Sequence, residues 1–301
     1  MTVTIGVVIL DFDQSRITAR CLRSLVKGSR IPEIVVLVEN GAESFADEQR
    51  IDLSNLNIIT LRAGQNLGCA GGRNLGLNYL IMNSSVTTLV TLDNDTIVPN
   101  DFFERVAGLT FSPLEVVAPI ILDLRTNNIW SCGGTLAPNG LVEQLTEISD
   151  EDHQNRLIVD WAPGACLIMS RQIWNLVGNF DNGFTFYFED IEWCLRLRAI
   201  GGHVLVRTDL LLLHEPHQSL GGFGSQTRGR LWVRNSAFFR FTSIQVDPLE
   251  NLKWLGSEVI LIARDLMTGY ASWSVSRFGG LVEGLRESIR RKAKRNRYAS
   301  L

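Results

Sequence analysis

The chain of 301 residues is 45% hydrophobic and 20% charged, with a formal net charge of −3 at pH 7, which is the composition of an ordinary globular protein with an ample core. Its length suits one large domain, or one domain with a smaller appendage. No run reaches the roughly 18 consecutive apolar residues of a membrane-spanning helix, so we expect a soluble chain or one held at a membrane surface.

The amino terminus and the cysteines both indicate the compartment. Residues 1–10 lack the basic start and cleavage site of a secretory signal, and they predict a first strand instead. The five cysteines have no Cys-x-x-Cys spacing, and an odd number of them on a chain without a signal indicates reduced thiols. We therefore expect a cytoplasmic protein with these cysteines in its core, namely Cys21, Cys69, Cys132, Cys166 and Cys194.

The first half of the chain alternates between strand and helix patterns. Short apolar runs rich in β-branched residues predict strands, and apolar residues at helical spacing predict helices. Strands are predicted at 3–10, 34–38, 57–61, 88–92 and 116–122, and helices at 17–26, at 75–82 and after Pro99. This order predicts a mostly parallel sheet with helices on both of its faces.

The second half of the chain is less regular. Residues 125–152 are rich in Gly, Asn, Pro and acidic residues, and they predict a loop or hairpin region in which Asp150 and Asp152 are solvated. Strands are then predicted at 159–170, 203–206 and 210–213, and helices at 173–177, 191–200, 230–241, 249–267 and 278–295. We expect an α/β domain at 1–217 and a helical C-terminal extension at 218–301 that ends in a basic tail.

Two aspartates close the strand predicted at 88–92. In open α/β sheets ligands lie just beyond the carboxyl ends of the strands, so Asp93 and Asp95 are placed where ligands bind. We predict that they hold a divalent cation, which in turn holds a phosphorylated donor. The same spacing occurs at Asp11/Asp13 and at 150/152, and an isolated pair of this kind favours a turn or a solvated helix start.

A glycine-rich run follows the third predicted strand. Gly68, Gly71, Gly72 and Gly76 do not have the spacing of the dinucleotide-binding fingerprint, which also follows the first strand rather than the third. The run instead predicts close backbone approach and free amides at a helix start, which suit a diphosphate. Arg73 would add a fixed cation, although a glycine turn with a surface arginine is an equal alternative.

Two further polar groups follow apolar stretches. Glu189, Asp190 and Glu192 lie at a predicted helix start behind an aromatic run, where partial burial can tune a carboxylate for base catalysis. Ordinary acidic capping of the helix is the alternative. His214 follows the apolar run 210–213 and is a candidate ligand if a metal lies nearby, and otherwise a polar residue at the sheet rim.

Eight segments carry a wider resemblance when they are taken in order. They are 4–10, 36–41, 66–76, 92–95, 161–166, 178–181, 186–196 and His214. Over about residues 3–240 the chain closely resembles family 2 glycosyltransferases with the GT-A fold, especially their rhamnosyltransferase-like branch. The resemblance implies a GT-A type nucleotide-binding sheet and the inverting transfer of a sugar from a UDP- or dTDP-linked donor to a hydroxyl of a glycan or lipid-linked acceptor, with no nucleic acid partner.

The resemblance also implies roles for single residues. Asp95 would ligate Mg²⁺ or Mn²⁺, Asp93 would lie at the metal or the ribose, and His214 would complete the metal site. Asp190 would be the general base that takes the proton of the acceptor hydroxyl. The residues expected to contact the donor are Asp11, Glu39, Asn40, Asn66, Arg73, Asp93 and Glu189.

Two strand ends depart from the family pattern. The first strand ends in Asp11-Phe12-Asp13 rather than Asn-Tyr-Asn, and the second ends in Glu39-Asn40 rather than Asp-Asn, which leaves the preferred nucleotide base open. A sugar nucleotidylyltransferase is an alternative, but 11–16 lacks its glycine-rich, lysine-containing signature. A non-catalytic sugar- or nucleotide-binding homologue is another, against which Asp95, Asp190 and His214 argue.

The basic tail at 288–297 allows two interpretations. It is either a solvated helix end or a segment that contacts anionic lipid, since basic amphipathic segments lie on membrane surfaces. The second interpretation would fit a lipid-linked acceptor at the inner face of the plasma membrane.

Overall fold

The computed structural model describes residues 3–45, 52–110, 112, 114–148, 155–215 and 225–299, with side chains described as far as residue 293. The chain divides into two compact units, which we call the sheet unit and the C-terminal unit. The sheet unit comprises Met1–Thr135, Gln144–Thr185 and Glu189–Pro216, and the C-terminal unit comprises Leu136–Glu143, Phe186–Phe188 and His217–Leu301. The predicted boundary at 217 and the pair Asp150/Asp152 lie outside the described residues.

The described residues form the following elements. The strands are β1 (Ile5–Asp11), β2 (Ile34–Glu39), β3 (Ile58–Arg62), β4 (Thr88–Asp93), β5 (Thr96–Ile97), β6 (Glu115–Asp123), β7 (Ile129–Ser131), β8 (Gly134–Leu136), β9 (Val142–Gln144), β10 (Leu157–Val159), β11 (Ile168–Ser170) and β12 (His203–His214). The helices are α1 (Ser15–Val26), α2 (Gly68–Asn83), α3 (Phe102–Ala107), α4 (Arg171–Val177), α5 (Glu189–Ala199), α6 (Gln226–Thr242), α7 (Pro248–Met267) and α8 (Ala271–Ala299).

One large sheet organises the sheet unit. Its strand order is β10-β12-β6-β11-β4-β1-β2-β3, with β5 paired to β12 and β7 paired to β6. The strands β4, β1, β2 and β3 are parallel, as are β6 and β12, whereas β11 and β10 run antiparallel to their neighbours. The predicted mostly parallel sheet is therefore confirmed.

Side chains of β1 alternate between two packed faces, as the geometry of a strand requires. Val7 and Ile9 lie in one buried cluster with Leu22 of α1. Val8 points the other way, toward α2, where a Cβ added to Gly76 would lie 2.4 Å from its Cγ1. The strand is apolar from Ile5 to Leu10 because helices cover both of its faces, which agrees with the predicted arrangement.

Helix α2 begins seven residues earlier than predicted, at Gly68 rather than at 75. The glycine run is thus mostly helical instead of forming a turn before the helix. Glycine is a poor helix former, costing about 1 kcal/mol relative to alanine, which hid the first two turns from a periodicity argument. Its role here is close packing, since a Cβ on Gly72 would lie 2.6 Å from Leu10 Cδ2.

Two strand predictions also need correction. The single strand predicted at 159–170 is two strands, β10 and β11, separated by a segment that contains Pro163, which has no N–H for a strand ladder. The two strands predicted at 203–206 and 210–213 are one strand, β12. It passes through a bulge between Arg207 and Leu211 and remains paired with β6 on both sides of it.

The C-terminal unit is built on helices α6, α7 and α8, as predicted. Helices α6 and α8 approach closely because α8 presents glycines, and a Cβ on Gly280 would lie 2.3 Å from the carbonyl oxygen of Arg230. Val233, Ala237 and Leu281 form the buried centre of this packing. No helix among the described residues is both long enough and apolar enough to cross a membrane.

Candidate active site

Three carboxylates meet at one edge of the sheet because their strands are parallel neighbours. In the register of β1 with β2, Asp11 lies opposite Glu39, and in the register of β1 with β4, Leu10 lies opposite Asp93. The carboxyl ends of these strands therefore coincide, and this is the edge at which α/β sheets bind ligands.

Asp93, Asp95 and His214 form a cluster at this edge, and each offers a ligand atom within 4.8 Å of the other two. Asp95 follows β4, and His214 is the last residue of β12. The short strand β5 pairs with the end of β12, and in this pairing His214 lies opposite Thr96. The carboxylate Oδ1 of Asp95 lies 3.0 Å from Nε2 of His214. Two of the three side chains, those of Asp95 and His214, are buried.

This cluster fits a divalent cation on the chemistry of its donors. Carboxylates and imidazoles are common protein ligands of divalent cations. The Nδ1 atom of His214 is buried and has no hydrogen-bond partner among the described residues, while the ring of Trp130 packs edge-on at 4.5 Å. Burial opposes the charged imidazole, but the hydrogen bond to Asp95 and the charges of Asp95 and Asp93 raise the pKa of His214.

Arg73 connects Asp93 of the candidate metal cluster to Glu189 at the start of α5. Its Nη2 donates to Asp93 Oδ1 at 2.7 Å, and its Nη1 donates to Glu189 Oε1 at 2.7 Å. The guanidinium is buried, and it fits only because residue 164 is glycine, where an added Cβ would lie 2.6 Å from Nη1. The sequence predicted a cation directed at a diphosphate, whereas in the structure the guanidinium bridges two carboxylates; contact with a donor stays a prediction.

Glu189 and Asp190 form an acidic pair in the first turn of α5, in which Glu189 is buried and Asp190 is partly buried. Burial, followed by the charge of Asp190, raises the pKa of Glu189 to about 7, although Arg73 acts in the opposite direction. The Oε2 atom of Glu189 is buried without a hydrogen-bond partner among the described residues. A carboxylate pair whose pKa values are perturbed by burial and by a neighbouring charge is typical of functional sites.

Asp190 is held in place by backbone amides. Its Oδ2 accepts a hydrogen bond from the N–H of Gly164 at 2.8 Å, and its Oδ1 accepts one from the N–H of Ile191 at 2.8 Å. Burial raises the pKa of Asp190, while the Gly164 amide and the charge of Arg73 oppose the rise. A fixed carboxylate with a raised pKa suits a general base.

The chain enters this acidic pair through two residues in left-handed conformations. Tyr187 and Phe188 have φ values of 73° and 71°, which are uncommon for aromatic residues. Within the C-terminal unit, the amide of Asn235 donates to the carbonyl oxygens of Phe186 at 2.6 Å and Tyr187 at 3.2 Å. Arg228 also donates to the hydroxyl of Tyr187 at 2.9 Å. These bonds fix the backbone that leads into α5.

Asp11 and Glu39, both predicted to contact the donor, are largely engaged within the sheet unit. Asp11 Oδ1 accepts from the Thr18 hydroxyl at 2.6 Å and so supports the start of α1. Glu39 accepts from the N–H of Phe45 at 2.8 Å and from Nε of Arg62 at 3.1 Å. Their contact with a nucleotide stays a prediction.

Asn40 and Asn66 shape the turn before α2. Asn40 accepts from the N–H of Leu67 at 3.0 Å and donates to the carbonyl oxygen of Gly68 at 3.1 Å. Asn66 Oδ1 accepts from the N–H of Gly68 at 2.8 Å. Both side chains therefore hold the backbone at the sheet edge, and their contact with a donor also stays a prediction.

Several residues of the site were missed by the sequence reasoning. Gly164 lies within segment 161–166, so that motif carried a signal for it, but Trp130 lies in no motif. Glu215 also anchors the edge, since it accepts from Arg20 at 2.5 Å and from Arg125 at 2.8 Å. Its position directly after His214 was the available signal.

Comparison with known proteins agrees with this geometry. A family model described as "Glycosyltransferase like family 2" matches residues 3–234. The chain is 22% identical over 181 residues to the dTDP-rhamnosyl transferase RfbF of Shigella flexneri, and 27% identical over 174 residues to the low-salt glycan biosynthesis hexosyltransferase Agl10 of Haloferax volcanii. The matches cover 60% and 56% of this chain, and 59% and 54% of those proteins.

Solved structures give the fold. The crystal structure of GalNAc-T7 with UDP, GalNAc and Mn²⁺ matches with a TM-score of 0.60 at 16% identity, over 89% of this chain and 59% of that chain. The mannosyltransferase PcManGT from Pyrobaculum calidifontis, in complex with GDP-Man and Mn²⁺, matches with a TM-score of 0.53 at 12% identity, over 100% of this chain and 81% of that chain. At these identities the likeness shows the fold alone, and it confirms the predicted GT-A type.

The family model extends over the whole sheet unit and into α6, and the predicted resemblance is confirmed by it. The chain therefore belongs to the glycosyltransferase like family 2.

Proposed function

We propose that this chain is a metal-dependent inverting glycosyltransferase that moves a sugar from a UDP- or dTDP-linked donor to a hydroxyl of a glycan or lipid-linked acceptor. The observation that carries the proposal is the linked arrangement of Asp93, Arg73 and Glu189, which joins the candidate metal ligands to the turn that holds Asp190. The names of RfbF and Agl10, a dTDP-rhamnosyl transferase and a hexosyltransferase, support the donor class.

The candidate metal ion is Mg²⁺ or Mn²⁺, and its ligands are Asp95, His214 and Asp93. When bound, the ion would neutralise negative charge that develops on the leaving diphosphate. The two solved structures of similar fold each contain Mn²⁺. Mn²⁺ is therefore the first ion to test with this chain.

The chain's own residues divide the remaining work. Asp190 accepts the proton of the acceptor hydroxyl, whose oxygen forms a bond to the anomeric carbon while the bond to the diphosphate oxygen breaks. Attack from the face opposite the leaving group inverts the anomeric configuration. Arg73 keeps the carboxylates of Asp93 and Glu189 fixed on either side of it, and preorganised charge of this kind contributes most when it does not move during the reaction.

The function is tested by nucleotide release. A thermal-shift screen of UDP- and dTDP-sugars with Mn²⁺ or Mg²⁺ should first identify the donor, because a ligand that binds the folded state raises Tm. With that donor, free nucleotide diphosphate should appear only when both acceptor and metal are present. A donor that binds without any release in the presence of acceptors would instead favour a non-catalytic binding protein.

Replacing His214 with alanine should weaken metal binding by about 10- to 100-fold, because loss of a ligand or its support typically costs at least that much. Calorimetric titration of Mn²⁺ without donor measures this effect apart from activity. His203→Ala is the matched control, since His203 is an exposed histidine at the opposite end of β12. Equal Mn²⁺ titrations of the wild type and His214→Ala would remove His214 from the site.

We also propose that the protein works in the cytoplasm, at the inner face of the plasma membrane, where a lipid-linked acceptor would be reached. No disulfide joins any of the five cysteines, all of which the structure describes, and this supports a reducing compartment; they are Cys21, Cys69, Cys132, Cys166 and Cys194. The basic tail at 288–297 supports peripheral contact with anionic lipid, although side chains beyond 293 lie outside the described residues.

A further inference from the structure

Helix α7 exposes an apolar face although it belongs to a folded unit. None of its residues is buried, and Ile260 and Met267 are 68% and 80% exposed. At 100° per residue, the exposed large apolar side chains fall in one sector of the helix. We call this set the α7 stripe, and it consists of Leu249, Leu252, Val259, Ile260, Leu266 and Met267.

Helix α8 carries a similar row. Its exposed large apolar side chains also share one sector, and we call them the α8 stripe; they are Val275, Phe278, Val282 and Ile289. Tyr270, which is also exposed, lies in the short connection between the two helices. On α7 the residues that pack around the core of the unit, such as Trp254 and Ile262, lie on the side of the helix opposite its stripe. The residues of the two stripes are therefore not part of the packed core of the C-terminal unit.

Cations flank both stripes, and an excess of positive charge lies at the end of α8. Lys253 and Arg264 lie beside the α7 stripe, and Arg286 and Arg290 lie beside the α8 stripe, all of them exposed. Residues 286–297 contain seven basic residues and one acidic residue. The surrounding surface therefore attracts anions.

Each acidic residue of the two helices lies against a cation, so each pair cancels locally and the positive excess belongs to residues 286–297. Glu250 pairs with Lys253 at 2.6 Å, Asp265 pairs with Arg277 at 3.0 Å, and Glu283 pairs with Arg230. The remaining two, Glu258 and Glu287, lie 3.5 Å from Arg277 and 3.6 Å from Arg290.

We propose that the α7 and α8 stripes dock this protein on an anionic lipid surface, with both helices lying in the plane of the headgroups. A helix with an apolar face and flanking basic residues is the usual form of an interfacial membrane anchor, and an aromatic residue such as Tyr270 suits the same depth. A second copy of the chain is a poorer occupant, because it carries the same basic segment at 286–297 and offers no complementary negative charge for it. This inference deepens the peripheral membrane contact proposed above and rests on it, but it does not depend on catalysis, so flotation can fail while sugar transfer is retained.

The test is flotation of the full chain with vesicles in the absence of donor and acceptor. Wild type should float with vesicles that contain phosphatidylglycerol and much less with phosphatidylcholine alone. Leu252→Gln/Ile260→Gln/Met267→Gln should lower the bound fraction by about tenfold or more, since binding scales with the apolar area buried. Arg286→Gln/Arg290→Gln should reduce the preference for the anionic vesicles, and added salt should do the same.

The matched control is Met82→Gln/Ile158→Gln/Leu176→Gln, which replaces equally exposed apolar residues of the sheet unit and should float like wild type. All variants change exposed side chains, so their Tm values should stay close to that of wild type. Wild type that fails to float, or a stripe variant that floats as well as wild type, overturns the proposal. So does a wild-type dimer that the stripe variant converts to a monomer without any lipid binding, because the stripes would then join two copies.

Discussion

Replacing Asp190 with asparagine is expected to lower the rate of sugar transfer by about 10²- to 10⁴-fold, the usual contribution of a general base. Asparagine keeps the size of the side chain and one oxygen for the Gly164 amide, although its NH2 group cannot accept from the N–H of Ile191, and it cannot accept the acceptor's proton. Donor affinity should therefore survive, and it can be measured by calorimetry with the nucleotide sugar. Turnover is measured as release of nucleotide diphosphate.

Glu192→Gln is the matched control for Asp190→Asn. Glu192 lies in the same first turn of α5, but it pairs with Arg196 at 2.9 Å on the helix itself, so its loss should leave turnover nearly unchanged. Near wild-type turnover of Asp190→Asn would remove Asp190 as the base. A loss of donor affinity that accounts for the whole effect would do the same.

The pH dependence of the transfer rate is a second test of Asp190 as the general base. A base works only when it is deprotonated, so the rate should fall as pH drops through the pKa of Asp190. Because burial raises that pKa, the fall should begin at a higher pH than for an exposed aspartate.

Replacing Arg73 with methionine should have the largest effect on stability. The change removes the cation from two carboxylates, Asp93 and Glu189, and leaves Glu189 buried beside Asp190. Breaking a buried ion pair by removing one partner typically costs about 3–5 kcal/mol in the free energy of unfolding. Chemical denaturation at pH 8 measures this cost, and transfer activity should be lost as well.

Two comparisons distinguish the loss of the ion pair from a general loss of packing as the cause of a lower free energy of unfolding. Arg62→Met also removes an arginine from a carboxylate, Glu39, but Arg62 is largely exposed, so the cost should be below about 1 kcal/mol. The cost of Arg73→Met should also shrink as pH falls, because protons then neutralise the unpaired carboxylates. An unfolding free energy equal to that of wild type at pH 8 would contradict the proposed bridge.

The sequence predicted the parts of the fold that depend on local patterns. Apolar runs such as 34–38 and helical spacing such as 249–267 matched β2 and α7 to within a residue or two. The failures came where long-range packing outweighed local preference. The start of α2 at Gly68 is the clearest case, because its glycines are explained by Leu10 and Val8 on the strand beneath.

The candidate site was predicted in the same uneven way. The positions of Asp93, Asp95 and His214 followed from strand ends, since parallel strands share an edge. The partners of Arg73 could not be predicted from the sequence, because Glu189 is 116 residues away in the chain and meets Arg73 only in the folded protein. The Gly164 amide that holds Asp190 was equally hidden, as a backbone donor has no signature in a sequence.

The C-terminal unit contains segments that are far apart in the chain, and this affects the order in which the protein folds. Residues 186–188 belong to that unit, but their partner Asn235 lies in α6, which is made after every strand of the sheet. Left-handed residues such as Tyr187 and Phe188 cost on the order of 1–3 kcal/mol each and persist only when their surroundings hold them. During synthesis the sheet can therefore form first, and the peptide that leads into Asp190 is completed last. Pulsed hydrogen exchange during refolding should show residues 186–190 gaining protection with α6, and protection that appears together with β1 would contradict this order.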